Sequence, residues 1–101
     1  MKHCKPLSEA DRGYIAALLD WYGHVDVVPD FRVRVLHWNN SLSLYLRLVT
    51  GMGHGQHYEW ECRGSRSASL LAQVLPLMKN PAKVLRARQL LEACGARRQA
   101  A

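Results

Sequence analysis

The sequence predicts a single α+β domain with the element order helix, strand, strand, helix, strand, strand, helix, helix. Three observations lead there: an apolar helical repeat at residues 14–19, apolar and charged residues alternating at 31–35 and again at 58–63, and glycine or proline punctuation between these segments. At 101 residues, 49% of them apolar, the chain holds one domain, 1–101, with one modest core.

Taken in order, Ser8 followed three residues later by Asp11 reads as a helix-capping pair, and Tyr14, Ile15, Leu18 and Leu19 recur at helical spacing behind it. The first helix is expected over residues 9–20, with Gly23 ending it. Residues 24–28 are short and β-rich, and Pro29-Asp30 stops them, as in a first strand followed by a turn. Phe31, Val33 and Val35 then alternate with Arg32 and Arg34, as in a strand with one buried face. Asn39, Asn40 and Ser41 are capping residues ahead of a leucine-rich helix that stops near Gly51. Gly51, Gly53 and Gly55 mark a tightly turned connection, within which residues 52–57 form a weak third strand. Tyr58, Trp60 and Cys62 alternate with Glu59, Glu61 and Arg63 as the fourth, ending at Gly64. Ser65 or Ser67 caps a third helix through Leu70, Leu71, Val74 and Leu75, interrupted near Pro76 or Pro81, and a last helix covers residues 82–93. Residues 1–7 and 96–101 are expected to be loose ends.

The formal net charge of +6 sits in the C-terminal part. From Arg63 onward there are eight basic residues and one acid, Glu92, while the preceding stretch is nearly balanced. A basic half of this kind can meet phosphate, or it can merely solvate helices through Lys79, Lys83, Arg86, Arg88, Arg97 and Arg98. No run of about 18 apolar residues exists to span a bilayer, and the N-terminus lacks the apolar centre of a signal peptide. An intracellular, cytoplasmic protein without membrane contact is the expectation. Cys4, Cys62 and Cys94 are an odd, widely spaced set, which favours reduced thiols over disulfides, with Cys62 packing as a small hydrophobe.

Residues 14–23 read Tyr-Ile-Ala-Ala-Leu-Leu-Asp-Trp-Tyr-Gly, a helix with small residues ending in an acid and a glycine. This stretch resembles the LAGLIDADG signature of homing endonucleases, with Ile15, Ala16, Ala17, Leu18, Leu19, Asp20 and Gly23 at matching or similar positions. The resemblance extends to Asn39-Asn40-Ser41 opening a leucine-rich helix, to the Tyr58–Cys62 strand entering a Gly-Ser turn, and to Leu75-Pro76-Leu77 closing a helix. It implies one LAGLIDADG-like αββαββαα domain, a four-stranded antiparallel sheet with helices on one face. A single motif is similar to the branch of the family that assembles as homodimers.

The resemblance also implies roles. Ile15, Ala16, Ala17, Leu19 and Asp20 would lie at a twofold seam between signature helices, where small residues allow close approach. Cleavage in the family depends on acids at the helix ends that hold divalent cations, and Tyr22 occupies the position of the metal-binding carboxylate. A phenol is largely protonated at neutral pH and offers neither the charge nor the geometry. Asp20 is the residual candidate, matching the family's chiefly structural first acid. No catalytic residue, bound metal or other cofactor is therefore expected, with Mg²⁺ implied only for an active nuclease. Lys79 and Lys83 stand near the family's basic position after the Leu-Pro helix, with Pro81 disturbing the match.

The family reads DNA from the sheet face, which places Arg32, Arg34, His37, His54 and Arg63 beside Lys79 and Lys83 as candidate nucleic-acid contacts. By the same alternation Asp26, Glu59 and Glu61 project to that face, so the arginines could instead form cross-strand ion pairs. His54, His57 and Cys62 are zinc-binding residue types, but their spacing fits no compact four-ligand site. Trp21 and Trp38 could stack on bases, whereas Trp60 alternates into the core. The leading expectation is a catalytically degenerate homodimer that binds duplex DNA or structured RNA. The alternatives are an active Mg²⁺-dependent endonuclease and a protein-interaction module with a protein partner.

Overall fold

Ser8 opens the first helix through both halves of its capping pair. In the computed structural model, which describes residues 3–37, 39–56 and 58–100, its Oγ accepts the Asp11 amide at 3.1 Å and donates to Asp11 Oδ2 at 2.9 Å. Helix α1 (Glu9–Tyr22) runs past Asp20 and passes without a loop into strand β1 (Gly23–Asp26). Gly23 N–H still donates to the Leu19 carbonyl, yet the residue is already extended at φ −87° and ψ 151°. Glycine is required there by proximity, since a Cβ would sit 2.7 Å from Leu19 Cα.

A turn through Pro29 leads to β2 (Arg32–Leu36), and Asn39 Oδ1 then accepts the Ser41 amide at 2.9 Å to start α2 (Asn40–Thr50), which Gly51 ends. Strands β3 (His54–Gln56) and β4 (Glu59–Arg63) form the second hairpin, followed by α3 (Ser65–Val74), a 3₁₀ turn (Leu75–Leu77) and α4 (Pro81–Ala100). Asn80 caps α4, its Oδ1 accepting the Ala82 amide at 3.1 Å, and Pro81 takes the first helical position, where a missing N–H costs nothing.

The four strands are antiparallel in the order β1-β2-β4-β3. Val25 pairs with Val33, Val33 with Cys62, and Val35 with Trp60, so these apolar residues share one face. That face is buried beneath the helices, together with Ile15, Leu19, Leu46, Leu70, Leu71, Val74 and Leu90. Each large side chain buried this way contributes about 1.5–3 kcal/mol. The expected architecture, an αββαββαα domain with helices on one side of the sheet, is the observed one.

Four local expectations are corrected. Tyr58 is not a core strand residue: it turns the β3–β4 hairpin at φ 64° and is exposed. Ser67 does not cap α3; it is buried, donates from Oγ to the Cys62 carbonyl at 3.0 Å, and Gly64 occupies the cap position without a side-chain bond. Residues 4–7 are tied down, because Cys4 N–H donates to Ser69 Oγ, Lys5 N–H to the Thr50 carbonyl and Leu7 N–H to Gln73 Oε1, with Cys4 and Leu7 buried. At the other end α4 continues to Ala100, and Arg97 stacks over the Phe31 ring at 4.3 Å, a cation–π contact that holds this helix against the start of β2.

Candidate nucleic-acid interface

The strand alternation that buries Val33 and Trp60 turns a second set of side chains away from the helices. Register aligns them in rows across the sheet: Asp26, Arg32 and Arg63 in one, His24, Arg34, Glu61 and His54 in the next, Leu36 and Glu59 in a third. Three arginines thus face three acids. Arg32 Nε lies 3.0 Å from Asp26 Oδ2, Arg34 Nε 3.4 Å from the same atom, Arg34 Nη1 3.6 Å from Glu59 Oε1, and Arg63 Nε 2.8 Å from Glu61 Oε2. Glu61 is itself buried, and its hydrogen bond from Arg63, reinforced by Arg32 and Arg34, holds its carboxyl below the usual range. The face is polar and charge-balanced, and its arginines are already engaged. The acids of these pairs are half-buried or buried, so a competing phosphate must displace partly desolvated carboxylates to reach the strand arginines.

His37 does not reach this face. It is buried at 6% exposure, its amide donates to the Tyr58 carbonyl at 2.9 Å, and its Nε2 shares a hydrogen bond with Ser43 Oγ. Burial pulls its pKa below the ordinary 6.5, which favours the neutral ring. The strand ends before His37, and the chain turns inward toward α2. The expectation of a nucleic-acid contact there is corrected to a structural role.

At the end of α1 the carboxylate of Asp20 is occupied. Both oxygens accept the Lys79 amide at 2.9 Å, Oδ1 also accepts the Asn80 amide at 2.9 Å, and Asn80 Nδ2 donates back to the Asp20 carbonyl at 3.1 Å. Asp20 therefore fastens the connection between the 3₁₀ turn and α4 onto α1. This brings Lys79, exposed, and Lys83, half-buried, to the end of α1 that carries Tyr22.

Three of the five residues expected at a twofold seam lie in the core of the single chain. Ile15, Ala16 and Leu19 are buried at 0–1% exposure in the chain's own core, because the helix turns that side to the sheet. The side left to solvent carries Gly13, Tyr14, Ala17 and Trp21, with Tyr22 at its margin. Trp21 is 78% exposed, and none of these residues is charged. Tyr14 packs edge-on to Tyr45 with centroids 5.1 Å apart, and Tyr45 Oη donates to Asp11 Oδ1 at 2.6 Å, fixing α1 against α2.

Trp60 is fully buried, as its alternation predicts, while Trp38 and His57 lie outside the described residues. Among the described residues no cluster of three histidine, cysteine or acidic side chains is arranged to hold a metal. Cys62 is enclosed, with burial pushing its thiol up to about 12. No described helix is long and apolar enough to cross a membrane. One basic residue beside the sheet escaped the sequence reading: Arg66, in the first turn of α3, shares a cleft with His54, Glu61 and Arg63. Its position after the last strand was the available signal.

No protein-family model matches the chain, and no curated protein matches it in sequence. The fold does match. The homing endonuclease I-CvuI, solved in complex with the I-CreI target in the presence of Mg with the DNA not cleaved, superposes with a TM-score of 0.76 over 86% of this chain and 67% of that one, at 14% identity. The domain has a homing-endonuclease-like fold.

Proposed function

We propose that this protein binds nucleic acid, duplex DNA first and structured RNA as the second candidate, as a LAGLIDADG-like homodimer that has lost cleavage. The observation that carries the reading is the helix-free sheet face, bearing Arg32, Arg34 and Arg63 in a fold shared with a DNA-bound homing endonuclease. The excess of basic residues from Arg63 onward supports it, because long-range attraction to a polyanion does not need every arginine to be unpaired.

Loss of cleavage follows from the donors at the end of α1. Mg²⁺ takes hard, preferably anionic oxygens, and this end offers a phenol at Tyr22 and a carboxylate at Asp20 already accepting two backbone amides. These residues do not fit the ion. Dimerisation rests on the exposed small and aromatic residues of α1: Gly13 and Ala17, one turn apart, let a second helix approach, and Trp21 supplies apolar area beside them.

Fluorescence anisotropy with a duplex and a structured RNA, from about 50 mM salt upward, tests the reading, since phosphate contacts are strongest at the low end. Saturable binding that weakens steeply with salt is expected. Flat titrations with both at about 50 mM salt overturn it, and Mg²⁺-dependent strand scission by the purified chain overturns the loss of cleavage.

A further inference from the structure

Where β4 leaves the sheet for α3, the surface opens into a cleft of about 360 Å³ lined by Gly53, His54, Glu61, Cys62, Arg63 and Arg66. Its charges are unequal. Glu61 is spoken for by Arg63 at 2.8 Å, and Arg32 and Arg34 add to that compensation. Arg66 takes part in none of the ion pairs among the described residues, and the first turn of α3 holds no acid to compete for it. Arg66 is half-buried, so its position is constrained by the helix rather than free in solvent. His54, across the cleft in register with Glu61, adds an exposed imidazole that takes part in none of the ion pairs among the described residues.

We propose that this cleft is a phosphate-binding site in which Arg66 is the principal anchor, Arg63 the rim cation and His54 a hydrogen-bond donor. A guanidinium held in a recess suits a phosphate oxyanion because its fork of N–H donors matches two oxygens at once. The cleft adjoins the outer sheet face through Glu61 and Arg63, so the phosphate it takes is that of a nucleic-acid backbone lying along the sheet. In this part the inference rests on the proposed function. It assigns the strongest backbone contact to a residue outside the strands, whereas the strand arginines must first exchange partners with Asp26 and Glu59.

The test uses the full chain and an Arg66→Gln variant, with Arg66→Lys as a charge-keeping control and circular dichroism confirming the fold of each. Inorganic phosphate is titrated while amide resonances are followed, and a duplex and a structured RNA are titrated separately across a salt series. Phosphate is expected to shift His54, Arg63, Gly64 and Arg66. The Gln variant should bind it about fivefold more weakly, the size of one accessible ion pair, with the Lys variant between the two. The slope of log affinity for the duplex against log salt should fall by about one in the Gln variant. Phosphate shifts lost in the Gln variant, with neither the duplex nor a structured RNA bound at about 50 mM salt, uphold the cleft for a small phosphate and overturn the nucleic-acid reading. Duplex binding with an unchanged slope in the Gln variant and no phosphate shifts overturns the cleft and leaves that reading standing.

Discussion

Asp20 and Asn80, 60 positions apart, hold each other at both ends: the carboxylate of Asp20 accepts the Asn80 amide at 2.9 Å, and the Asn80 side-chain amide donates to the Asp20 carbonyl at 3.1 Å. Charge-assisted bonds to backbone N–H groups are the stronger kind, and Asp20 also takes the Lys79 amide. Asp20→Ala should lower unfolding free energy by about 2–3 kcal/mol in urea titrations, with Asp20→Asn costing less. A loss under about 0.5 kcal/mol for the alanine variant would show that the clamp is idle.

Gly53 sits at φ 88° with a notional Cβ 2.5 Å from the Trp60 ring. Gly53→Ala therefore adds both a clash against a fully buried indole and a strained backbone. A destabilisation of about 2 kcal/mol or more is expected in thermal or urea unfolding, accompanied by a changed tryptophan emission.

Stability should fall on acidification in two stages. Burial keeps His37 neutral below its ordinary 6.5, so as the pH drops from that value the unfolded chain gains the proton first and the folded state loses ground. Glu61 has its pKa lowered by Arg63, so its contribution is complete above 4.5 and is lost as the pH falls through the lower folded value. Unfolding free energy measured against pH should lose its upper slope in His37→Asn and its lower slope in Glu61→Gln. Unchanged slopes in both variants would contradict these assignments.

Exposed Gly13, Ala17 and Trp21 on α1 predict a concentration-dependent dimer. Ala17 is exposed in the single chain, so Ala17→Glu should leave the fold intact and shift sedimentation to the monomer at all concentrations. If the wild type sediments as a monomer at high concentration, this seam is not an interface.

On the sheet, Asp26 engages both Arg32 and Arg34. Asp26→Asn should release the pair and tighten duplex binding, with the salt slope steeper by about one. Weaker binding would mean that the carboxylate orients the arginines for their ligand instead of competing with it.

The order of elements was legible because each carries its own period and punctuation: Val33 and Val35 against Arg32 and Arg34, Ser8 with Asp11, Asn39 ahead of the leucines. What escaped were facts of three-dimensional neighbourhood. The α1 repeat identifies an apolar stripe without saying whether it meets the same chain or another, and here the chain's own sheet takes Ile15, Ala16 and Leu19. The alternation that buries Phe31, Val33 and Val35 also turns His37 inward, but it does not name Ser43 as its partner. Arg66 follows the last strand without a motif of its own, and only the cleft places it beside the sheet.

Tyr22 ends the helix and Gly23 begins the strand, with no residue between them to act as a hinge. In a dimer joined through α1, the angle at which two such helices cross would therefore set the angle between the two sheets directly. The protein would work as a fixed caliper: its two halves would meet a duplex at one preset separation, and target choice would depend on the spacing of half-sites before any base is touched.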